Sequence, residues 1–353
     1  MQEVHLNING VDIVTEKGRT ILEAAMENGI KIPRLCYEER LEPYGACRVC
    51  VVEVEGARGL LPACATTVTE GMFIKTETDR LRRIRKTIIE LLLSDHPFDC
   101  MTCESAGNCE LQDMAYEYGV KEVSFKGERH EYEKFIDGPM IERDYNKCIL
   151  CGRCVRICRE VQGVGVYDLM NRGFDAVPGT PYGKSLTETP CEFCGQCVST
   201  CPTGAIILRL SAGKGRDWEM DKVRTTCTYC GVGCQFYLNV KDGKVVKVTS
   251  DYYLGEPNYG NLCVKGRFGY DFIHHEERLT RPLIKKGGKF KEATWDEALD
   301  LVSEKLKSAK EKTGPDSTAI LTSARCTNEE NYLMQKLARA VIGTNNVDHC
   351  ARL

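Results

Sequence analysis

Val4, Leu6 and Ile8 alternate with polar residues, Asn9-Gly10 interrupts them, and Val11 and Ile13 resume the alternation. A period of two on either side of an Asn-Gly pair predicts a β-hairpin. Thr20-Ile-Leu-Glu23 then forms a capping box for a short helix that ends at Gly29. From Asp79 the period lengthens. Leu81, Ile84, Ile88 and Leu91 recur at three and four, while Arg80, Arg82, Arg83, Arg85 and Lys86 take the other positions and read as a solvated helix face. Residues 119–138 are polar without period and read as a connector. Ser211–Asp217 has the composition of a linker. Gln235–Val240 and Lys244–Thr249 predict a second hairpin about Asp242-Gly243. Leu299, Val302 and Leu306 mark an amphipathic helix after Trp295-Asp-Glu-Ala298, followed by an apolar strand at Ala319–Thr322. The loop Ser323–Asn331 leads into a helix ended by Gly343. Strand, loop and helix in that order suit an α/β nucleotide-binding layer.

A chain of 353 residues has room for two or three domains of ordinary size, and its 42% hydrophobic share supplies real cores. The formal charge of −3, with no long basic run, argues against nucleic acid. No apolar run is long enough to span a membrane, and the start Met1-Gln-Glu-Val-His-Leu has no signal-peptide core, so a cytoplasmic location is expected. Cysteine changes the picture most. There are 21, an odd number at short spacings, which favours metal binding over a disulfide framework in a reducing compartment.

The cysteines fall into sets. Cys148, Cys151, Cys154 and Cys158, then Cys191, Cys194, Cys197 and Cys201, are two copies of Cys-x2-Cys-x2-Cys-x3-Cys. Structural zinc, which wants four ligands as two separated pairs, fits duplicated quartets poorly. The run is similar to that holding cubane clusters in bacterial ferredoxins, where the fourth cysteine serves the other cube. That resemblance implies [4Fe–4S] ligands Cys148, Cys151, Cys154 with Cys201, and Cys191, Cys194, Cys197 with Cys158. The pattern's proline follows Cys201 as Pro202, but Cys158 is followed by Arg159, and the segment between the quartets is long.

Cys36, Cys47, Cys50 and Cys64 follow the first hairpin and helix. In that order they resemble the β-grasp [2Fe–2S] variant at the start of respiratory and hydrogenase subunits, a zinc ribbon being the alternative. His96, Cys100, Cys103 and Cys109 resemble the one-histidine, three-cysteine [4Fe–4S] site of iron hydrogenases and of the large peripheral subunit of respiratory complex I. An imidazole in place of a thiolate makes such a cluster less negative and raises its potential. Cys227, Cys230, Cys234 and Cys263, with Leu262-Cys-Val-Lys-Gly-Arg-Phe-Gly269, resemble the Fe4S4 domain of molybdopterin-dependent oxidoreductases. The family places a lysine between cubane and pterin, which implies an electron-relay role for Lys265. Its guanine dinucleotides implicate the loop carrying Arg325, Cys326 and Asn328.

The run Cys350-Ala-Arg-Leu353 resembles one that precedes the metal-ligating cysteine or selenocysteine in formate dehydrogenases of the molybdenum or tungsten type. On that resemblance the metal ligand follows Leu353, and the reading frame is expected to continue through a UGA codon. The expectation is a multidomain α+β chain: a β-grasp [2Fe–2S] domain at 1–78, a one-His/three-Cys site at 79–118 and a 2[4Fe–4S] ferredoxin domain at 139–210. An Fe4S4 domain at 222–278 and the start of an α/β molybdopterin domain at 279–353 complete it. It would carry one [2Fe–2S] and four [4Fe–4S] clusters toward a bis-molybdopterin guanine dinucleotide with Mo or W, interconverting formate and CO2. The implied partner is a flavin-containing NAD(P)H-oxidising subunit, or hydrogenase iron–sulfur subunits. The alternative is a non-catalytic electron-transfer subunit of a complex I-like or hydrogenase complex. Cys326 and Cys350 are left as thiols near the cofactor.

Overall fold

The computed structural model describes residues 2–125 and 127–349. Cys350 and the run to Leu353, with the expectations placed on them, lie outside those residues. The chain divides into two compact units, Met1–Asp221 and Lys222–Leu353.

The first unit opens with β1 (Glu3–Ile8) and β2 (Val11–Glu16), turned at Asn9 and Gly10, both with positive φ. The capping box of Thr20 and Glu23 starts α1 (Ile21–Glu27). After a long loop come β3 (Val51–Val54), β4 (Leu61–Pro62) and β5 (Met72–Lys75). The sheet runs β2-β1-β5-β3-β4. Because β5 lies parallel to β1, the chain between them must cross over. That crossover carries α1 and the loop with Cys36, Cys47 and Cys50. Ile8, Ile13, Ile21, Leu22 and Ile74 close the core between sheet and helix, each contributing about 1.5–3 kcal/mol by leaving water.

α2 (Asp79–Ser94), capped by Thr78, and α3 (Glu110–Glu117) flank the His96 loop. The buried face of α2 differs from the periodic reading. Leu81, Arg85, Ile89 and Leu93 are buried, Leu91 is 51% exposed, and Arg85 is wholly covered. Arg85 donates to the carbonyl of Val51 at 2.8 Å and to Glu77 at 3.1 Å. A guanidinium paired through both terminal nitrogens can occupy a core position that sequence assigns to solvent.

Next come β6 (Phe135–Ile136), β7 (Ile141–Arg143), the short α4 (Arg153–Arg156), β8 (Asp168–Met170), β9 (Val177–Gly179), α5 (Gln196–Ser199) and β10 (Ile206–Leu208). The strand order β10-β7-β6 brings the end of the second quartet back beside the start of the first. The two expected connectors are packed segments. Arg129 donates to the carbonyls of Ser94 and His96, and His130 contacts Asp95. Arg216 donates to the carbonyls of Met101 and Cys103. Polar composition marked the exposure of these segments but not their hydrogen bonds.

The second unit has a sheet β11-β12-β13 (Asp221–Thr226, Gln235–Lys241, Lys244–Thr249) and α6 (Val264–Phe268) directly after Cys263. The hairpin β14 (Leu283–Lys286) and β15 (Lys289–Glu292) precedes α7 (Trp295–Thr313). β16 (Ile320–Thr322) pairs in parallel with β17 (Val347–His349) across α8 (Asn328–Lys336). Ile320, Ala338 and Ile342 form the core of that layer. No helix among the described residues is long and apolar enough to cross a membrane.

Candidate metal centres

No disulfide joins the described cysteines. No three or more His, Cys, Asp or Glu side chains among the described residues are arranged to hold a single metal ion. The described thiols fall into five sets along the chain, with Cys326 apart from them.

The two quartets repeat down to backbone conformation. Leu150 and Phe193, at matching places, both take positive φ, and the glycines two residues on, Gly152 and Gly195, do the same at φ 70°. Each turn folds an N–H back onto the preceding sulfur, Leu150 to Cys148 Sγ and Phe193 to Cys191 Sγ, both at 3.4 Å. Such donors stabilise negative charge on sulfur. The helices α4 and α5 begin at once behind Gly152 and Gly195. A largely apolar cavity is lined by Cys148, Cys151, Cys154 and Cys201 together. Burial pushes the Cys148 and Cys151 thiols up to about 12, and Cys154 well above its usual range. In the other set Cys197 is raised by burial and by Cys194, Cys191 and Cys158. Cys201 thus lies with Cys148, Cys151 and Cys154, and Cys158 with Cys191, Cys194 and Cys197.

In the first loop, Cys36 is held well below the usual thiol range by hydrogen bonds with Cys47 and then Cys64. Cys50 is lowered to about 7 by its hydrogen bond with Cys64. Three of these thiols, Cys36, Cys50 and Cys64, are almost completely covered.

His96 is 8% exposed. Its Nδ1 lies 2.8 Å from the Pro97 carbonyl, which can only accept, so Nδ1 carries the hydrogen. Nε2 is then the lone-pair nitrogen, and it is buried with no partner. Burial, with the charge of Lys147 as a smaller cause, holds the imidazole below its usual pKa and hence neutral. A neutral imidazole with its second nitrogen fixed on a carbonyl is the form that ligates metal. Cys100 and Cys103 share its loop, and Cys109, pushed up to about 11 by burial, closes the set from the start of α3.

Two arginines of α4 tie the first quartet to its neighbours. Arg153 grips Glu110, the residue after Cys109, with both nitrogens at 2.6 and 3.0 Å. Arg156 donates to the carbonyls of Cys36 and Glu42 and lies over the Tyr44 ring. One apolar core joins Leu35, Val49, Cys109, Leu111 and Ile149.

In the second unit Cys227, Cys230, Cys234 and Cys263 act on one another electrostatically, with Cys230 and Cys263 exposed. Gly266 faces Cys227, where a Cβ would lie 3.6 Å from its sulfur. Lys265 is exposed on α6, two residues after Cys263. The loop with Arg325 and Cys326, which leads into α8 at Asn328, sits beside the cysteine loop, since Gly231 N–H donates to the Ala324 carbonyl at 2.8 Å. Arg325 also reaches Tyr229 electrostatically. Missed by sequence reasoning were Arg129, Arg153, Arg216 and above all Lys147, whose place directly before Cys148 was the available signal.

Five family models match the chain in turn. Residues 1–79 match the 2Fe-2S iron-sulfur cluster binding domain, and residues 85–124 the NADH-ubiquinone oxidoreductase-G iron-sulfur binding region. Residues 138–207 match the ferredoxin-like domain of NADH-quinone oxidoreductase subunit 3. Residues 220–275 match the molybdopterin oxidoreductase Fe4S4 domain, and 278–353 molybdopterin oxidoreductase. The alpha subunit of a NADPH-Fe(3+) oxidoreductase from Geobacter sulfurreducens is 41% identical over 350 residues, covering 99% of this chain and 40% of the relative. A G-type subunit of NADH-quinone oxidoreductase from Rhizobium meliloti is 39% identical, covering 99% and 40%. A Staphylococcus aureus protein named "Putative formate dehydrogenase" is 33% identical, covering 100% and 39%. A crystal structure of NAD+-reducing [NiFe]-hydrogenase in the H2-reduced state aligns with TM-score 0.57 and 28% identity, over 61% of this chain and 91% of that one. The chain spans about 40% of the length of the curated relatives it matches. These matches support an oxidoreductase with 2Fe-2S and 4Fe-4S iron–sulfur domains followed by a molybdopterin region.

Proposed function

We propose that this chain is the electron-carrying and entry portion of a molybdopterin-dependent formate dehydrogenase or CO2 reductase. It would hold one [2Fe–2S] cluster on Cys36, Cys47, Cys50 and Cys64 and four cubanes. These sit on His96/Cys100/Cys103/Cys109, Cys148/Cys151/Cys154/Cys201, Cys191/Cys194/Cys197/Cys158 and Cys227/Cys230/Cys234/Cys263. The observation that carries the proposal is the cavity walled by three thiols of one quartet and the last thiol of the other. Four buried thiols facing one cavity suit a cluster, because metal ligation offsets the cost that burial places on each thiolate. When bound, the clusters supply one-electron transfer and a pterin-held Mo or W the two-electron interconversion of formate with CO2 and a proton.

The chain's own part is holding and tuning. N–H groups face the sulfurs, His96 presents neutral Nε2, and Lys265 sets a cation two residues past Cys263 to offset charge as an electron passes. Arg325, Cys326 and Asn328 are the proposed contacts for the guanine dinucleotide. The partner is a flavin subunit using NAD(P)H or a hydrogenase, in keeping with the names of the Geobacter relative and the aligned hydrogenase. The second reading is a non-catalytic electron-transfer subunit of a complex I-like or hydrogenase complex, in keeping with the Rhizobium relative's name as an NADH-quinone oxidoreductase subunit.

Anaerobically purified full-length gene product decides between them. Formate dehydrogenase predicts Mo or W with about 18 irons and bleaching of the visible cluster absorption by formate. Iron without Mo or W, and no response to formate, selects the second reading. A colourless, iron-free protein removes both.

A further inference from the structure

Lys147 belongs by sequence to the first quartet, yet its ammonium is directed into the His96 site. The side chain is 6% exposed, unusual for lysine. Nζ lies 2.9 Å from Asp99, the residue before Cys100, and 3.6 Å from Asp144. The backbone carbonyl is held in turn by the hydroxyl of Thr203, two residues after Cys201, at 2.7 Å. Gly204 fixes the contact more closely. A Cβ there would stand 2.7 Å from Cys103 Sγ and 3.5 Å from Lys147 Cδ, so lysine stem and cluster sulfur abut the same point.

We infer that Lys147 is a charge donated by the ferredoxin quartet to the His96/Cys100/Cys103/Cys109 cluster, a positioning residue that raises this cluster's reduction potential. The inference rests on the cluster assignment above. A cation within a few ångströms stabilises an added electron, and in a buried site that interaction is little screened. Asp99 and Asp144 hold the ammonium in place, and its removal would strip Asp99 of this close counter-charge and leave Asp144 with Lys134 at 4.0 Å. The neutral imidazole of His96 works in the same direction. The site therefore combines two devices that favour the reduced state, one from each of two neighbouring segments.

The test is a potentiometric titration of the cluster-loaded chain followed by paramagnetic resonance. Loss or change of one signal in His96→Cys identifies the cluster concerned. Lys147→Gln is expected to move that one midpoint to more negative potential and leave the other clusters unmoved, while Lys147→Arg keeps it near the parent value. Asp99→Asn should move it the opposite way. An unmoved midpoint in a loaded Lys147→Gln, or equal movement of every cluster, overturns the inference. If Lys147→Gln fails to retain the cluster, Asp99→Asn decides: an upward shift supports the inference and no shift overturns it. A parent protein whose spectrum shows other clusters but none altered by His96→Cys overturns the assignment of the site as well.

Discussion

Gly204→Ala puts the packing around Cys103 to a direct test. The new methyl would lie 2.7 Å from Cys103 Sγ and 3.3 Å from Ser105 Oγ, against about 3.5–4.0 Å for unstrained heavy-atom contacts. The backbone at Gly204 needs no left-handed conformation, so the whole conflict is one of space. In the cluster-free protein, Cys103 can rotate about χ1 and yield at a cost of about 1 kcal/mol, an ordinary off-rotamer penalty. In the loaded protein the sulfur is fixed on iron and cannot yield, and overpacking then costs about 1–3 kcal/mol. Calorimetry of both forms, with iron content and the resonance signal altered by His96→Cys, reads the difference. Near-parent stability of the cluster-free variant is expected, together with loss of about four irons and of that single signal. A fully loaded, undiminished Gly204→Ala protein would refute the idea that Cys103 is immobilised as a ligand.

Other outcomes follow from the same contacts. Cys201→Ser and Cys158→Ser should each abolish one cubane and about four irons, and only Cys201→Ser should disturb spin coupling to the His96 cluster, measured on the reduced samples. Arg85→Met removes a charged donor from the Val51 carbonyl and Glu77, costing about 1.5–3 kcal/mol, seen as a lower transition temperature of the first unit. Glu297 is held below the usual carboxylate range, first by the Thr294 backbone N–H. The stability it lends α7 is therefore present above the ordinary carboxylate pKa and lost as pH falls through the depressed value. Far-UV dichroism should record that loss in the parent protein and not in Glu297→Gln.

Local structure with a local cause could be read directly. The hairpin at Asn9-Gly10, the capping box at Thr20, and the strand and helix on either side of the Ser323 loop each depend on a few adjacent residues. The grouping of thiols by spacing is of the same kind, because a turn of two residues between cysteines leaves little freedom. Long-range contacts were illegible for the opposite reason. Arg85 looked solvated because nothing nearby announces the Val51 carbonyl, 34 residues away. Residues 119–138 and 211–217 looked like spacers, although Arg129 and Arg216 fasten the backbone of the His96 loop. Lys147 was passed over because its partner Asp99 stands 48 positions earlier.

The apolar core shared by Leu35, Val49, Leu111 and Ile149 has a practical consequence for anyone wishing to divide the protein. A cut near residue 78 would follow the visible seam between motifs and yet strip Leu35 and Val49 of their cover. Excised alone, the two-iron piece would carry a raw oily face and be prone to clump. Electron carriers that wedge into one another in this way are poor candidates for modular swapping, and a hybrid would have to inherit the first 221 residues whole.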